Sequence, residues 1–303
     1  MDNERKKPRI IISTDIGGKD PDDYQSLVHY LLYSDMVKTE ALISSPPFYG
    51  TADNILETLE CYRADFSKLK TRGNYPEPRE LEAVTVQGAE DTGSPGPEKN
   101  TSGSEKIIEC ALAEDESPLF VLLWGSMTDL AQALYVCPEI TRNIRVYSIG
   151  SWNTKQDPES RNYIYTNHPD LWWIESDETF RGMYMGGNQE ADLGNEAFVE
   201  LHVRGHGALG DFYAGKKKDI KMADTSSFLY ILSPLIGNTG NWDDPTAPSW
   251  GGSYMKPDPR RCYWKDSDSP EYIYAGKKGA NTINRWREQI LRNWQTRMDR
   301  CLM

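Results

Sequence analysis

The chain has 303 residues, a formal charge of −12 at pH 7, and a hydrophobic fraction of 38% that includes 9 Trp, 17 Tyr and 7 Phe. This is enough for one large α/β domain or two ordinary ones with a real core; a mean hydropathy of −0.67 points to long polar loops, and the charge with a pI near 4.9 argues against non-specific nucleic-acid binding, which needs a basic surface. No run of about 18 apolar residues occurs, so no membrane span is expected, and the start MDNERKKPRIII passes from charge straight into a strand-like run, unlike a signal peptide.

Residues 9–14 (RIIIST) read as a buried strand and 22–34 (DDYQSLVHYLLYS) as a helix. A second strand is expected at 38–44 and a second helix at 52–64. The segment 91–103 (DTGSPGPEKNTSG) is rich in Gly, Pro and Ser and reads as a flexible surface loop, or as a lid over a site. A helix at 104–113 and a strand at 119–124 follow. The next helix is expected from Ser126, where SMTD has capping-box spacing with Asp in place of Glu or Gln. Residues 144–150 are another strand. The second half is less regular. It contains a helix at 222–233 with Asp224 at its start, a loop at 243–254, and a terminal helix at 281–302 with apolar residues at helical spacing. Strands alternating with helices predict right-handed βαβ units in one domain over 1–303: a Rossmann-like, mostly parallel sheet flanked by helices. Ligands bind such sheets beyond the carboxyl ends of the strands. The five cysteines are widely spaced with no CxxC, so free thiols are expected.

One such carboxyl end carries STDIGGKDPDDYQ, which places Asp15, Asp20, Asp22 and Asp23 together. Asp22 and Asp23 suit the first turn of a helix, where the macrodipole favours negative charge. Asp15 is not explained that way. It directly follows a buried strand and precedes Gly17 and Gly18, which let the backbone fold tightly and gather several oxygens. Hard oxygen ligands suit Ca²⁺ or Mg²⁺. A phosphotransfer site is disfavoured, because Gly17 stands where a second Asp would be needed, and no G-x-G-x-x-G follows the strand. His202 and His206 form H-x-x-x-H, but Gly205 and Gly207 break a helix there, so zinc is disfavoured. His29 lies in a helix and reads as structural.

The strand-then-aspartate start resembles the nucleoside hydrolases, whose first strand ends in a D-x-G-x-D-D type motif. More closely, four stretches resemble the nucleoside hydrolase-like family once described as cellulose-binding proteins. They are RIIISTDIGGKDPDDYQSLVHYLL, GSEKIIECALAEDESPLFVLLWGSMTDLAQAL, KMADTSSFLYIL with PSWGGSY after it, and INRWREQILRNWQTRMDRC. They run in order over nearly the whole chain. Relatives often continue into a β-sandwich, which this chain is expected to lack.

The resemblance implies a Ca²⁺ site. Asp15 would bind the ion and activate water, Asp23 would bind it through both oxygens, and Asp22 would hold sugar hydroxyls. Three extra residues in the motif leave open an exchange of roles between Asp20 and Asp22. The backbone carbonyl of Thr128, in GSMTD, and Asp224, in ADTSSFLYIL, would complete the ligands, with Asp224 also touching the sugar. Two departures from the family stand out. Ala223 occupies the place of a His that protonates the leaving base, and SSPPFYG and SWNTKQDPESRNYIY replace Asn-rich sugar-binding segments. The leaving-group side is therefore open. Trp152 reads as core or as a stacking platform, Asp157 as a solvated acid or a leaving-side group, and His168, before Pro169, as a loop or helix-start residue or a leaving-side group. Trp250 in PSWGGSY is core or a second platform. The expected activity is calcium-dependent hydrolysis of an N- or O-glycosidic bond in a small sugar or nucleoside, with inversion. The alternative is a carbohydrate-binding protein that keeps the metal. By the same resemblance, a homodimer or tetramer is expected.

Overall fold

The computed structural model describes residues 7–18 and 20–302; the leader-peptide reading rests partly on residues 1–6, which lie outside them. Eight strands form one sheet: β1 Arg9–Thr14, β2 Lys38–Ser44, β3 Thr85–Gln87, β4 Leu119–Leu123, β5 Ile144–Ile149, β6 Trp172–Ser176, β7 Tyr254–Met255 and β8 Tyr263–Asp266. Their order is β3-β2-β1-β4-β5-β6-β8-β7. All pairings are parallel except β7 with β8. The chain turns from β1 outward through β2 and β3, then returns to β4 on the other side of β1. That reversal makes the β1/β4 junction the topological switch point.

Twelve α-helices occur among the described residues: α1 Asp22–Leu31, α2 Ala52–Leu69, α3 Pro78–Ala83, α4 Ser102–Leu112, α5 Thr128–Val136, α6 Trp152–Gln156, α7 Pro158–Asn167, α8 Asn195–His202, α9 Gly207–Lys216, α10 Thr225–Leu232, α11 Asn281–Asn284 and α12 Arg287–Met298. Side chains alternate across a strand, and β1 shows this directly. Ile10 and Ile12 enter the core shared with Leu27, Leu59, Phe228 and Trp294, whereas Ile11 enters the other core, with Ile107, Leu130 and Ile164. Both faces of the sheet are covered, which is why its central strands read as unbroken apolar runs.

The first four expected strands coincide with β1, β2, β4 and β5 to within a residue. β6 and β8 were not foreseen. Within WWIES the buried Glu175 is held by Arg161 at 2.6 Å and by the Tyr263 hydroxyl at 2.5 Å, so a charge interrupts an otherwise apolar strand. The expected capping box at Ser126 does not form. The helix starts at Thr128, and the Asp157 carboxylate accepts from the Met127 N–H at 3.0 Å and the Thr128 hydroxyl at 2.9 Å. The terminal helix divides into α11 and α12. The segment 91–103 is pinned. Gln132 bonds both N–H and C=O of Gly96, Ser160 donates to the Gly93 carbonyl, and Ser94 bonds Glu159. All five cysteines are free thiols.

Candidate functional site

The turn from β1 into α1 is short and closely packed. Gly17 has φ +105°, a region that ordinary side chains rarely adopt. A Cβ on Gly50 would lie 1.6 Å from the Ile16 carbonyl oxygen. The loop after β2 therefore presses its glycine against the acidic turn, with no room for a side chain on either strand end. Thr14, the last residue of β1, donates its hydroxyl to Asp23, which draws that carboxylate back over the strand end.

The oxygens of Asp22, Asp23 and Asp224 come within 4.8 Å of one another. Asp224 stands before α10 but makes no cap hydrogen bond. Its carboxylate turns instead toward α1, where Ser26 donates at 3.4 Å. A plain N-cap reading of Asp224 is thus set aside. Asp15 and Asp20 line the same cleft, which has a volume of about 510 Å³. Asp20 sits at its rim, 3.4 Å from Lys221 Nζ.

The electrostatics show how crowded this turn is. Burial pushes the Asp15 carboxyl well above the ordinary carboxylate range, and the charges of Asp23 and Asp22 push it further. Burial likewise raises Asp22, followed by Asp23 and Asp20, with Lys221 opposing. Asp23 is pushed up to about 7 by burial, against the Thr14 hydrogen bond. Asp224 is raised by burial and by the same three carboxylates. Among the described residues, Lys221 is the cation recorded against these aspartates, and it does not neutralise the group. A divalent cation held by oxygens would do so. The donor set is all carboxylate, with no His or Cys among the lining residues, so it fits Ca²⁺ or Mg²⁺ better than zinc.

Phe48 from the loop after β2, Trp124 from the end of β4 and the half-exposed Trp152 at the start of α6 supply apolar surface. Asn153 donates to the carbonyls of Trp124 at 2.8 Å and Ile149 at 3.1 Å, tying the ends of β4 and β5 together. Phe180, Arg181 and Tyr184 enter from the turns after β6, and Lys221 and Ala223 from the approach to α10. Sequence reasoning had not singled out Phe48, Arg181, Tyr184 or Lys221. A larger depression of about 670 Å³ lies by Lys38 and Ser117, at the amino ends of the strands and away from this chemistry.

Three expected residues lie elsewhere. Thr128 lines a separate depression beside residues 89–101, and the residue of its segment that faces the acidic cleft is Trp124. Asp157 is no solvated loop acid. It is 2% exposed, caps α7 through Ser160 N and holds the start of α5. Trp250 is 4% exposed and packed at Gly237, so it is core rather than a platform. His168 bonds Thr141, His202 bonds Asp192, and His206 lies 3.3 Å from Asp299, so the two histidines of H-x-x-x-H face different partners. His29 is fully buried against Tyr33 and Trp294. Asp157→Ala is expected to cost about 1–3 kcal/mol in urea unfolding, because it removes two caps and leaves buried donors unpaired. Ligand binding in the acidic cleft should be unchanged; a loss of binding without a loss of stability would contradict this placement.

The fold and the acidic turn at its switch point define an α/β protein of the nucleoside hydrolase-like class. A family model described as "Cellulose-binding Sde182, nucleoside hydrolase-like domain" matches residues 9–254, and the chain belongs to that family. Comparison with curated proteins gives no match. Among solved structures, a nucleoside hydrolase-related protein from Saccharophagus degradans associated with carbohydrate metabolism is similar at 24% identity and TM-score 0.77, over 98% of this chain and 72% of that one. The inosine-uridine preferring nucleoside hydrolase of Bacillus anthracis is similar at 17% identity and TM-score 0.51, over 97% and 99% of the two chains. A type III effector, XopQ, solved with adenosine diphosphate ribose, is similar at 11% identity and TM-score 0.57, over 99% and 94%. At these identities the likeness is one of fold.

Proposed function

We propose that the chain is a calcium-dependent hydrolase of a glycosidic bond, N- or O-linked, in a small ribosyl or related sugar substrate. The supporting observation is the aspartate group at the β1/β4 switch point, whose oxygens converge and whose carboxyls are raised by burial and by one another. Asp22, Asp23 and Asp224 would hold the ion, with Asp15 beside Asp23. When bound, calcium keeps the carboxylates ionised and makes a coordinated water more acidic. An ionised Asp15 would accept the proton of the attacking water. The carboxylate oxygens of Asp22 and Asp224 that do not face the ion would grip vicinal hydroxyls, and attack from the face opposite the leaving group predicts inversion. Phe48 and Trp152 would offer apolar faces to a ring. No imidazole reaches the cleft, and Ala223 lines it instead. A leaving group there departs without a histidine acid.

A second reading, a carbohydrate-binding protein that keeps the cation, is favoured by Ala223 and by the family's description. Calorimetric titration of chelated protein with Ca²⁺, wild type against Asp23→Ala, tests what both readings share. Binding that the substitution removes is expected. An unresponsive wild type would sink both. A screen of nucleosides and glycosides with calcium present then separates them, since the binder turns over none.

A further inference from the structure

The acidic cleft also contains a cation that the proposed chemistry does not use. Arg181 lies in the turn after β6, three strand positions from β1, and lines the cleft that holds the aspartates. Among the described residues no carboxylate comes within ion-pair distance of it. Its guanidinium donates to the Ser151 hydroxyl at 3.3 Å and lies 4.5 Å from the Phe180 ring centroid. Most other arginines with recorded side-chain contacts meet a carboxylate, as Arg9, Arg63, Arg145, Arg161, Arg292 and Arg297 do. Among the described residues, the other cation lining the cleft, Lys221, is engaged by Asp20.

Ser151 is itself unusual. It is not glycine, yet its φ is +59°, and its N–H is tied to Asp177 at 2.6 Å. Such a strained backbone persists only where the surroundings hold it, and it recurs at ligand sites. Here it fixes the hydroxyl that meets Arg181. Phe180, 7% exposed, supports the guanidinium from behind. A planar, five-donor fork held this way is suited to two-point recognition of a carboxylate or phosphate.

The geometry points to Arg181, positioned by Ser151 and Phe180, as an anion-recognition residue at the β6 end of the cleft. The substrate is therefore a glycoside whose leaving-group side carries a carboxylate or a phosphate. This rests on the hydrolase or sugar-binding reading for where the sugar lies. A sugar ring at the aspartates would have its leaving group in the same cleft as Arg181. A cation held by the aspartates, together with the Arg181 guanidinium, would offset the repulsion between such an anion and the acidic turn. With Ala223 where an acid is absent, the same guanidinium would offset negative charge on the departing group.

The test is calorimetric binding at saturating Ca²⁺ to wild type, Arg181→Met and Arg181→Lys, with thermal melts confirming that each variant is folded. Orotidine against uridine reports a carboxylate, and ribose 1-phosphate against methyl riboside reports a phosphate. In at least one pair, the anionic probe should bind wild type about tenfold more tightly or better. Arg181→Met should remove that preference without weakening the neutral probe, and Arg181→Lys should restore part of it. Which pair responds identifies the anion. Neutral and anionic probes binding alike, or a preference that survives Arg181→Met, overturns the inference and leaves the sugar reading standing. If no sugar probe binds but pyrophosphate binds wild type and not Arg181→Met, the sugar reading fails and the anion site stands. No binding of any probe refutes both.

Discussion

Asp15→Asn should abolish measurable turnover, by a factor of about 10²–10⁴, and leave sugar affinity largely intact. The amide matches the carboxylate in shape, so the packing of a side chain only 4% exposed is preserved. What it loses is the ability to take a proton. The same change removes one of the mutually repelling charges around Asp23, so the calcium-free variant should melt no lower than wild type. Kinetics and binding on one preparation decide the matter. Equal rates in variant and wild type would remove Asp15 from the chemistry, and turnover absent from both would leave only the binding reading.

The second large effect concerns pH. Asp23 is raised to about 7, and Asp15, Asp22 and Asp224 lie well above the ordinary range. The folded chain therefore holds more protons than the unfolded chain between about pH 4 and 7. Stability from these groups is fully present below the unfolded pKa and is lost as pH rises through the folded one. For Asp23 alone, the span from 3.8 to about 7 corresponds to something on the order of 4 kcal/mol. Calcium acts in the opposite direction. It binds the folded, ionised group and can add about 4 kcal/mol at a thousandfold excess over Kd. Melting scans in chelator and in Ca²⁺ should diverge by several degrees at pH 7 and converge toward pH 4. Asp266, which is also raised to about 7, tilts both series alike, so the difference between them isolates the cleft. Parallel curves at all pH values would count against a cation site in the acidic turn.

The sequence made the centre of this molecule easy to read and its edges hard. RIIIST and LFVLL are buried on both faces, so composition alone marks them as strands. WWIES is buried except at its first residue, Trp172, but Glu175 belongs to an ion pair that only the fold supplies. The acidic turn was legible because four aspartates crowd one short stretch after a strand. Arg181 and Tyr184 were not, because they reach the cleft through turns that follow an unrecognised strand. Thr128 and Asp157 were both drawn toward the site by local motif, yet they bond to each other, one starting α5 and the other capping α7. Tertiary pairing, rather than spacing, decided their place.

β1 lies between β2 and β4, pairing Arg9 with Lys38 on one side and with Leu119 on the other. Ser26 and Asp224, which meet in the cleft, are 198 residues apart in sequence. Contacts of that separation carry a large loop-closure cost and form slowly. Asp15, Asp20, Asp22 and Asp23 are neighbours from the start of synthesis, but Asp224 joins them only when most of the chain has been made and folded. The burial that sharpens their repulsion therefore arises late in assembly, when a cation from the surroundings can enter and complete the native state.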